Sequence, residues 1–162
     1  MAIGINVQLT QGNIDRKVAQ LRSVDKTLPR KLTTLIHAQT RRTVQKQKAT
    51  LAGLPVSGVS GSTGLRGKVA SGVRIRGGVG RQAKVRIVTH VPSAGLAFAP
   101  RGLDTTFSGW RAPLFGNKSK WYHHAMSGPS WFIGPAQQAQ KPLQEQIVRL
   151  LNLTADEIAR LS

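Results

Sequence analysis

Leu28-Pro29-Arg30-Lys31-Leu32-Thr33-Thr34-Leu35-Ile36-His37-Ala38-Gln39-Thr40-Arg41-Arg42-Thr43-Val44-Gln45-Lys46-Gln47-Lys48 is the stretch on which the fold turns. Leu32, Leu35, Ile36, Gln39 and Thr43 or Val44 return every three or four residues, which places them on one face of a helix. The opposite face carries Lys31, Arg41, Arg42, Lys46 and Lys48. Pro29 either fits the first turn of a new helix or kinks one already under way, because its ring fixes φ and removes an N–H. Upstream, Gly12 and Asn13 offer a turn and an N-cap, and Ile14, Val18, Leu21 and Val24 or Asp25 mark a first helical face running to about Leu28. Residues 14 to about 50 therefore predict one long kinked helix or two consecutive helices.

Working outward, Ile3, Ile5, Val7 and Leu9 alternate with small or polar residues and predict a half-buried strand. Residues 53–67 are rich in Gly and Ser, contain Pro55 and lack periodicity, so they predict a loop. Val69, Val73 and Ile75, then Gly77-Gly78, then Val85, Ile87 and Thr89 predict two strands joined at the glycines. Residues 91–134, broken by Pro92, Pro100, Pro113 and Pro129, read as a long irregular segment, yet they hold all three Trp and the one Tyr. After Pro135, Ala136, Ala139, Leu143, Ile147, Leu150 and Leu151 have helical spacing, and Thr154 with Glu157 predicts a capping box for a short last turn. The expected fold class is α+β: a long N-terminal helix and a C-terminal helix on a small, mostly antiparallel sheet. Residues 1–162 read as one domain with loop insertions at about 53–67 and 91–134.

Charge is the dominant compositional feature. Lys and Arg number 24 against 6 Asp and Glu, a formal net charge of +18. Between Lys26 and Leu103 there are 15 Lys or Arg and no acid, so internal ion pairs cannot neutralise that region. A field of this strength draws in polyanions or acidic protein surfaces. The segment from Pro142 to Ser162 is nearly neutral, which suits packing. With no Cys, disulfides and thiolate metal sites are excluded. The N-terminal residues lack the pattern of a secretory signal and no run is long and apolar enough to span a bilayer, so the expected place of synthesis is the cytoplasm, with no membrane partner.

The chemical motifs are mostly negative. Gly58, Gly61, Gly64 and Gly67 recur every third residue but miss the P-loop spacing, since Ser62 stands where a glycine is needed and Val69 follows Lys68. Gly64-Leu65-Arg66-Gly67 also fits the glycine clamp of KH-type RNA-binding domains, although strand-like sequence follows it, and the simpler reading is a loop. His37, His90 and the adjacent His123 and His124 do not match metal-site spacings, and the scattered carboxylates suggest neither an acid–base pair nor an activated nucleophile. The expectation is a non-enzyme with no cofactor and no small-molecule substrate. Aromatic residues are not interleaved with the basic strands, so contact with a duplex backbone or an acidic protein ring fits better than single-strand stacking.

Gly109-Trp110-Arg111-Ala112-Pro113-Leu114-Phe115-Gly116-Asn117-Lys118-Ser119-Lys120-Trp121, continued through Gly128-Pro129-Ser130-Trp131-Phe132, resembles a stretch of the tail-completion or minor tail-component family of long-tailed bacteriophages. Ala112 stands where that family has histidine. Upstream, Pro55 followed by Thr63-Gly64-Leu65-Arg66 and a valine-rich strand is similar to the family's other signature, with Ser57 or Ser60 near the place of its usual acid. The resemblance covers roughly residues 30–145. It implies a virion structural protein at the head–tail joint that assembles as a hexameric ring against head-connector and tail proteins, near the packaged DNA. Because Trp and Arg are the residues most enriched at interface hot spots, subunit or ring contacts are expected through Trp110, Arg111, Leu114, Phe115, Trp121, Trp131 and Phe132. DNA or acidic partners would meet Arg41, Arg42, Lys46, Lys48, Arg66, Lys68, Arg74, Arg76 and Arg86. The alternatives are a tail terminator capping the tube and, from another class, a free nucleic-acid-binding protein.

Overall fold

The computed structural model describes residues 18–55, 64–79, 83–91, 97–106, 108–114, 117–124 and 126–161. The strand expected over residues 3–9, the start of the first helix and the middle of the 53–67 loop lie outside them. The architecture is α+β, as the sequence pattern predicts.

Of the two helical arrangements open to residues 14–50, the split one is realised. A short helical stretch at 18–22 (α1) ends in a turn, and α2 then runs Leu28–Gly53. The first helix stops before Ser23, short of Leu28, because Asp25 accepts hydrogen bonds of 2.7 Å from both the N–H and the hydroxyl of Thr27 and turns the chain. Pro29 then sits in the first turn of α2, where the missing N–H has no intrahelical partner to lose.

Leu28, Leu32, Ile36, Thr40, Thr43, Gln47 and Leu51 form the buried face of α2. Against it lies the C-terminal helix α5, Ile133–Leu161. The two run antiparallel: Lys31 stands 3.9 Å from Glu157, Gln39 donates to Gln146 at 2.6 Å, and Gln47 donates to the Phe132 carbonyl at 2.8 Å. Thr154 does not cap a separate turn. It lies within α5 and donates its hydroxyl to the Leu150 carbonyl at 3.0 Å, which satisfies a mid-helix Thr without breaking the helix.

A β-hairpin closes the third side. β1, Val73–Val79, pairs antiparallel with β2, Ala83–Thr89, in the register Val73↔Thr89, Ile75↔Ile87, Gly77↔Val85. The inner residues Val73, Val85, Ile87 and Thr89 are buried. Two expectations are corrected here. Val69 belongs to a short helix α3, Leu65–Ser71, which replaces the end of the expected loop; its side chain is fully buried. Gly77 and Gly78 lie inside β1, opposite Val85 and Lys84, and the strands connect through residues 80–82. The stem of this hairpin needs glycine at position 72, where a Cβ would lie 2.1 Å from the His90 carbonyl oxygen.

Residues 91–134 are not irregular throughout. They include α4, Ala99–Gly102, and a second antiparallel hairpin of β3, Trp110–Leu114, and β4, Asn117–His124. Pro100 opens α4 and Pro113 sits in β3, places where a missing N–H is tolerated. Two apolar clusters result: Leu51, Leu54, Val69, Trp131 and Phe132 anchor one, and Leu28, Leu32, Ile36, Leu143, Ile147 and Leu151 the other.

The start of α5 is fixed by one carboxylate. Asp104 is 0% exposed. Its oxygens accept hydrogen bonds from the Thr106 N–H and hydroxyl, the Ser130 hydroxyl, and the Phe132 and Ile133 N–H groups, at 2.8–3.2 Å. Ser130 in turn accepts from the Gly134 N–H at 2.8 Å. Burial alone would raise the Asp104 pKa, but the N–H groups of Thr106, Phe132 and Ile133 with the Thr106 hydroxyl outweigh it and hold the carboxyl below its ordinary value.

Asp104→Ala should cost about 3 kcal/mol in urea unfolding, since it strands buried N–H donors; a variant as stable as the parent would refute this role. Because the carboxyl is more acidic folded than unfolded, its contribution is present above about pH 3.9 and is lost as pH falls through the lower folded value. Asp104→Asn should therefore flatten the acid limb of the stability curve. Gly72→Ala should cost about 2–3 kcal/mol, because both clashing groups are backbone.

Candidate functional site

Two surfaces collect the residues singled out by the sequence. The first is the β3–β4 hairpin. Every residue from Asn117 to His123 is exposed, and Trp121 and Tyr122, which fall on opposite faces of β4, are 58% and 57% exposed. Neither face of the hairpin is therefore covered along β4, and a lone two-stranded hairpin in water is marginal. Local bonds shape its tip: Asn117 accepts from the Ser119 N–H at 3.0 Å and hydroxyl at 2.6 Å, and the Trp121 indole N–H donates to the Lys118 carbonyl at 2.9 Å. With its polar handle satisfied within the arm, the Trp121 ring offers apolar area to a partner.

Of the expected anchors, Trp110, Arg111, Leu114 and Trp121 belong to this arm, Arg111 opposite His123 and Trp121 opposite Pro113. Phe115 lies outside the described residues. Trp131 and Phe132 are corrected: both are 0% exposed and pack edge-to-face at 5.1 Å within the core, because Asp104 pulls their backbone inward to start α5. They hold the fold and offer no surface in the single chain.

The second surface is basic. Arg41, Arg42 and Lys48 are exposed on α2, and Lys46 donates to Gln138 of α5 at 2.6 Å. Lys68 is exposed on α3. On the hairpin, Arg74, Arg76 and Arg86 occupy the face opposite the buried Val73, Val85 and Ile87. Two of the expected contacts are committed elsewhere. Arg66 donates to the carbonyls of Pro55 at 2.6 Å and Ala52 at 3.4 Å, placing a cation at the C-terminal end of α2, a favourable end of the helix dipole for positive charge. Arg74 donates to the carbonyls of Ser71 and Val73. Both forks serve the chain's own carbonyls first.

Ion pairs among the described residues centre on Lys31, at 3.3 Å from Asp25 and 3.9 Å from Glu157. Arg41, Arg42, Lys48, Arg76 and Arg86 thus have no carboxylate partner among the described residues. His123 and His124 lie in β4, His37 on α2 and His90 beyond β2. Among the described residues no three His, Asp or Glu side chains gather as a metal set, and no helix is long and apolar enough to cross a membrane. Sequence reasoning missed Asp104, although the pattern Asp104-Thr105-Thr106 repeats Asp25-Lys26-Thr27, in which the acid turns the chain onto the Thr two residues on. It also missed the pairing of Arg76 with Arg86, which only the strand register reveals. Comparison with models of known protein families, with curated proteins and with solved structures finds no match to this chain.

Proposed function

We propose that the chain is a structural, non-enzymatic subunit of a tailed-bacteriophage virion, a ring-forming component of the neck where head and tail join. The observation that carries the reading is the β3–β4 arm, exposed along β4 and presenting Trp121 and Tyr122 to solvent. The stretch that resembles the tail-completion family, Gly109 to Trp121, is the stretch that builds this arm. A ring subunit has a use for such an arm: seated on a neighbour, it buries two large aromatic side chains that the single chain leaves wet. Trp and Arg are the residues that most often dominate interface energetics. The basic faces of α2 and of the β1–β2 hairpin suit the passage of DNA through the joint or an acidic neighbouring ring. Within the same class, a tail terminator is the nearest rival, and the position of the ring in a map of the assembled virion separates the two.

The excess of basic residues without carboxylate partners favours a second reading, a free nucleic-acid-binding protein. Its signature would be tight, steeply salt-dependent duplex binding by a monomer that forms no ring.

Trp121→Ala should weaken self-association by about 2–4 kcal/mol, read by sedimentation equilibrium of the purified chain. In virions it should leave heads and tails unjoined. Normal joining by the Trp121→Ala protein, or a parent chain that stays monomeric at every concentration, would overturn the neck reading.

A further inference from the structure

The register of the β1–β2 hairpin sets Arg76 directly opposite Arg86. Cross-strand partners stand about 5 Å apart at Cβ, and like charges in that position repel. Arg86 compounds the problem, since its Nε is buried and has no hydrogen-bond partner. A buried guanidinium N–H without an acceptor is costly, more so than a neutral donor. No carboxylate of the described residues relieves the pair. Asp25 is engaged by Thr27 and Lys31, Asp104 is buried at the start of α5, and Glu145, Asp156 and Glu157 are carried by α5.

The surroundings extend the same face. Arg74 precedes Arg76 by one same-face step on β1, and Lys84, opposite Gly78, holds the corresponding step before Arg86 on β2. Same-face positions on a strand recur about every 6.6 Å, close to the stride of successive phosphates along a nucleic-acid strand.

We propose that Arg76 and Arg86 form a clamp for a backbone phosphate of nucleic acid, with the anion seated between the two guanidinium groups. A phosphate offers several acceptor oxygens and can take hydrogen bonds from the outer nitrogens of each guanidinium, which removes the repulsion. The inference rests on the basic-surface part of the function proposed above and commits it to nucleic acid over an acidic protein. It does not depend on ring formation.

The test uses the full chain, Arg76→Met, Arg86→Met, the double variant and Arg86→Lys, each checked for folding by circular dichroism. Binding to a fluorescent DNA duplex is followed by anisotropy across a salt series, with polyglutamate of matched charge as the acidic-protein probe. The double variant should bind duplex about tenfold more weakly, and its slope of log affinity against log salt should fall by about 0.9, the loss of one phosphate contact. Arg86→Lys, which keeps a charge but loses the fork, should fall between. Arg76→Met should raise the thermal midpoint of the free protein while weakening duplex binding; a merely structural arginine would lower the midpoint. Unchanged duplex affinity in the double variant, or polyglutamate bound as tightly as DNA, overturns the proposal. Mass photometry reads assembly separately: rings in the double variant with weakened DNA binding support the clamp, and a parent that binds DNA through the pair without forming rings sinks the neck reading alone.

Discussion

The fold depends on one buried carboxylate in a chain that can spare few. Asp104 joins three pieces that are distant in sequence: the turn after α4 through Thr106, the approach to α5 through Ser130, and the first N–H groups of α5 through Phe132 and Ile133. Burying a charge is expensive unless every lone pair finds a donor, and here they do. A helix of 29 residues also presents the positive end of its dipole to that carboxylate. Once the N-terminus of α5 is held, the rest follows geometrically. Trp131 and Phe132 are drawn into the core, Phe132 turns its carbonyl to Gln47, and α5 is aimed antiparallel along α2.

That helix pair is not zipped by apolar contact alone. The middle of the buried α2 face carries Thr40, Thr43 and Gln47, and this polar waist separates the two apolar clusters. Thr40 and Thr43 return their hydroxyls to the Ile36 and Gln39 carbonyls, which costs little. Gln39 and Gln146 meet at 2.6 Å, and a one-turn slip of α5 would separate them while stranding the Gln47 amide. The waist therefore selects register, whereas the leucines at either end supply most of the burial. Gln47 Oε1, Thr89 Oγ1 and Trp131 Nε1 remain buried without partners, so the packing around the waist falls short of full polar satisfaction.

Period and punctuation made the helices legible, and the missed features all need information that period does not carry. The α2 stripe at Leu32, Leu35 and Ile36 and the α5 stripe at Leu143, Ile147 and Leu151 could be read directly, because burial follows the 3.6-residue repeat. The break between α1 and α2 was ambiguous until the Asp25–Thr27 turn decided it. An isolated valine such as Val69 fits either period; Gly64, at φ +67°, opens the helix that claims it. Gly77-Gly78 looked like a turn, but alternation continues through Val79 and ladder bonds outweigh glycine's entropy. Trp131 and Trp121 have the same residue type and the same motif context, yet one is core and the other solvent-facing. Only the hydrogen bonds of Asp104, 27 residues before Trp131 in the chain and irrelevant to Trp121, separate them.

The distribution of charge explains why the outer surface has the character it does. Asp25 and Asp104 are occupied in turning the chain and starting a helix, and Glu157 approaches Lys31. The described carboxylates are thus largely used to make the fold, leaving the strands and α2 to face outward unbalanced within a total of +18. A compact state carrying that charge repels itself, and the repulsion is sharpest where the register forces Arg76 onto Arg86. Any polyanion that settles on this face removes a cost built into the free subunit, so binding and stability rise together by linkage. The exposed arm follows the same logic in apolar terms, since a lone hairpin left wet along β4 is marginal and would gain from cover. Charge and arm therefore act in one direction: each is a local penalty in the single chain that a bound partner would relieve.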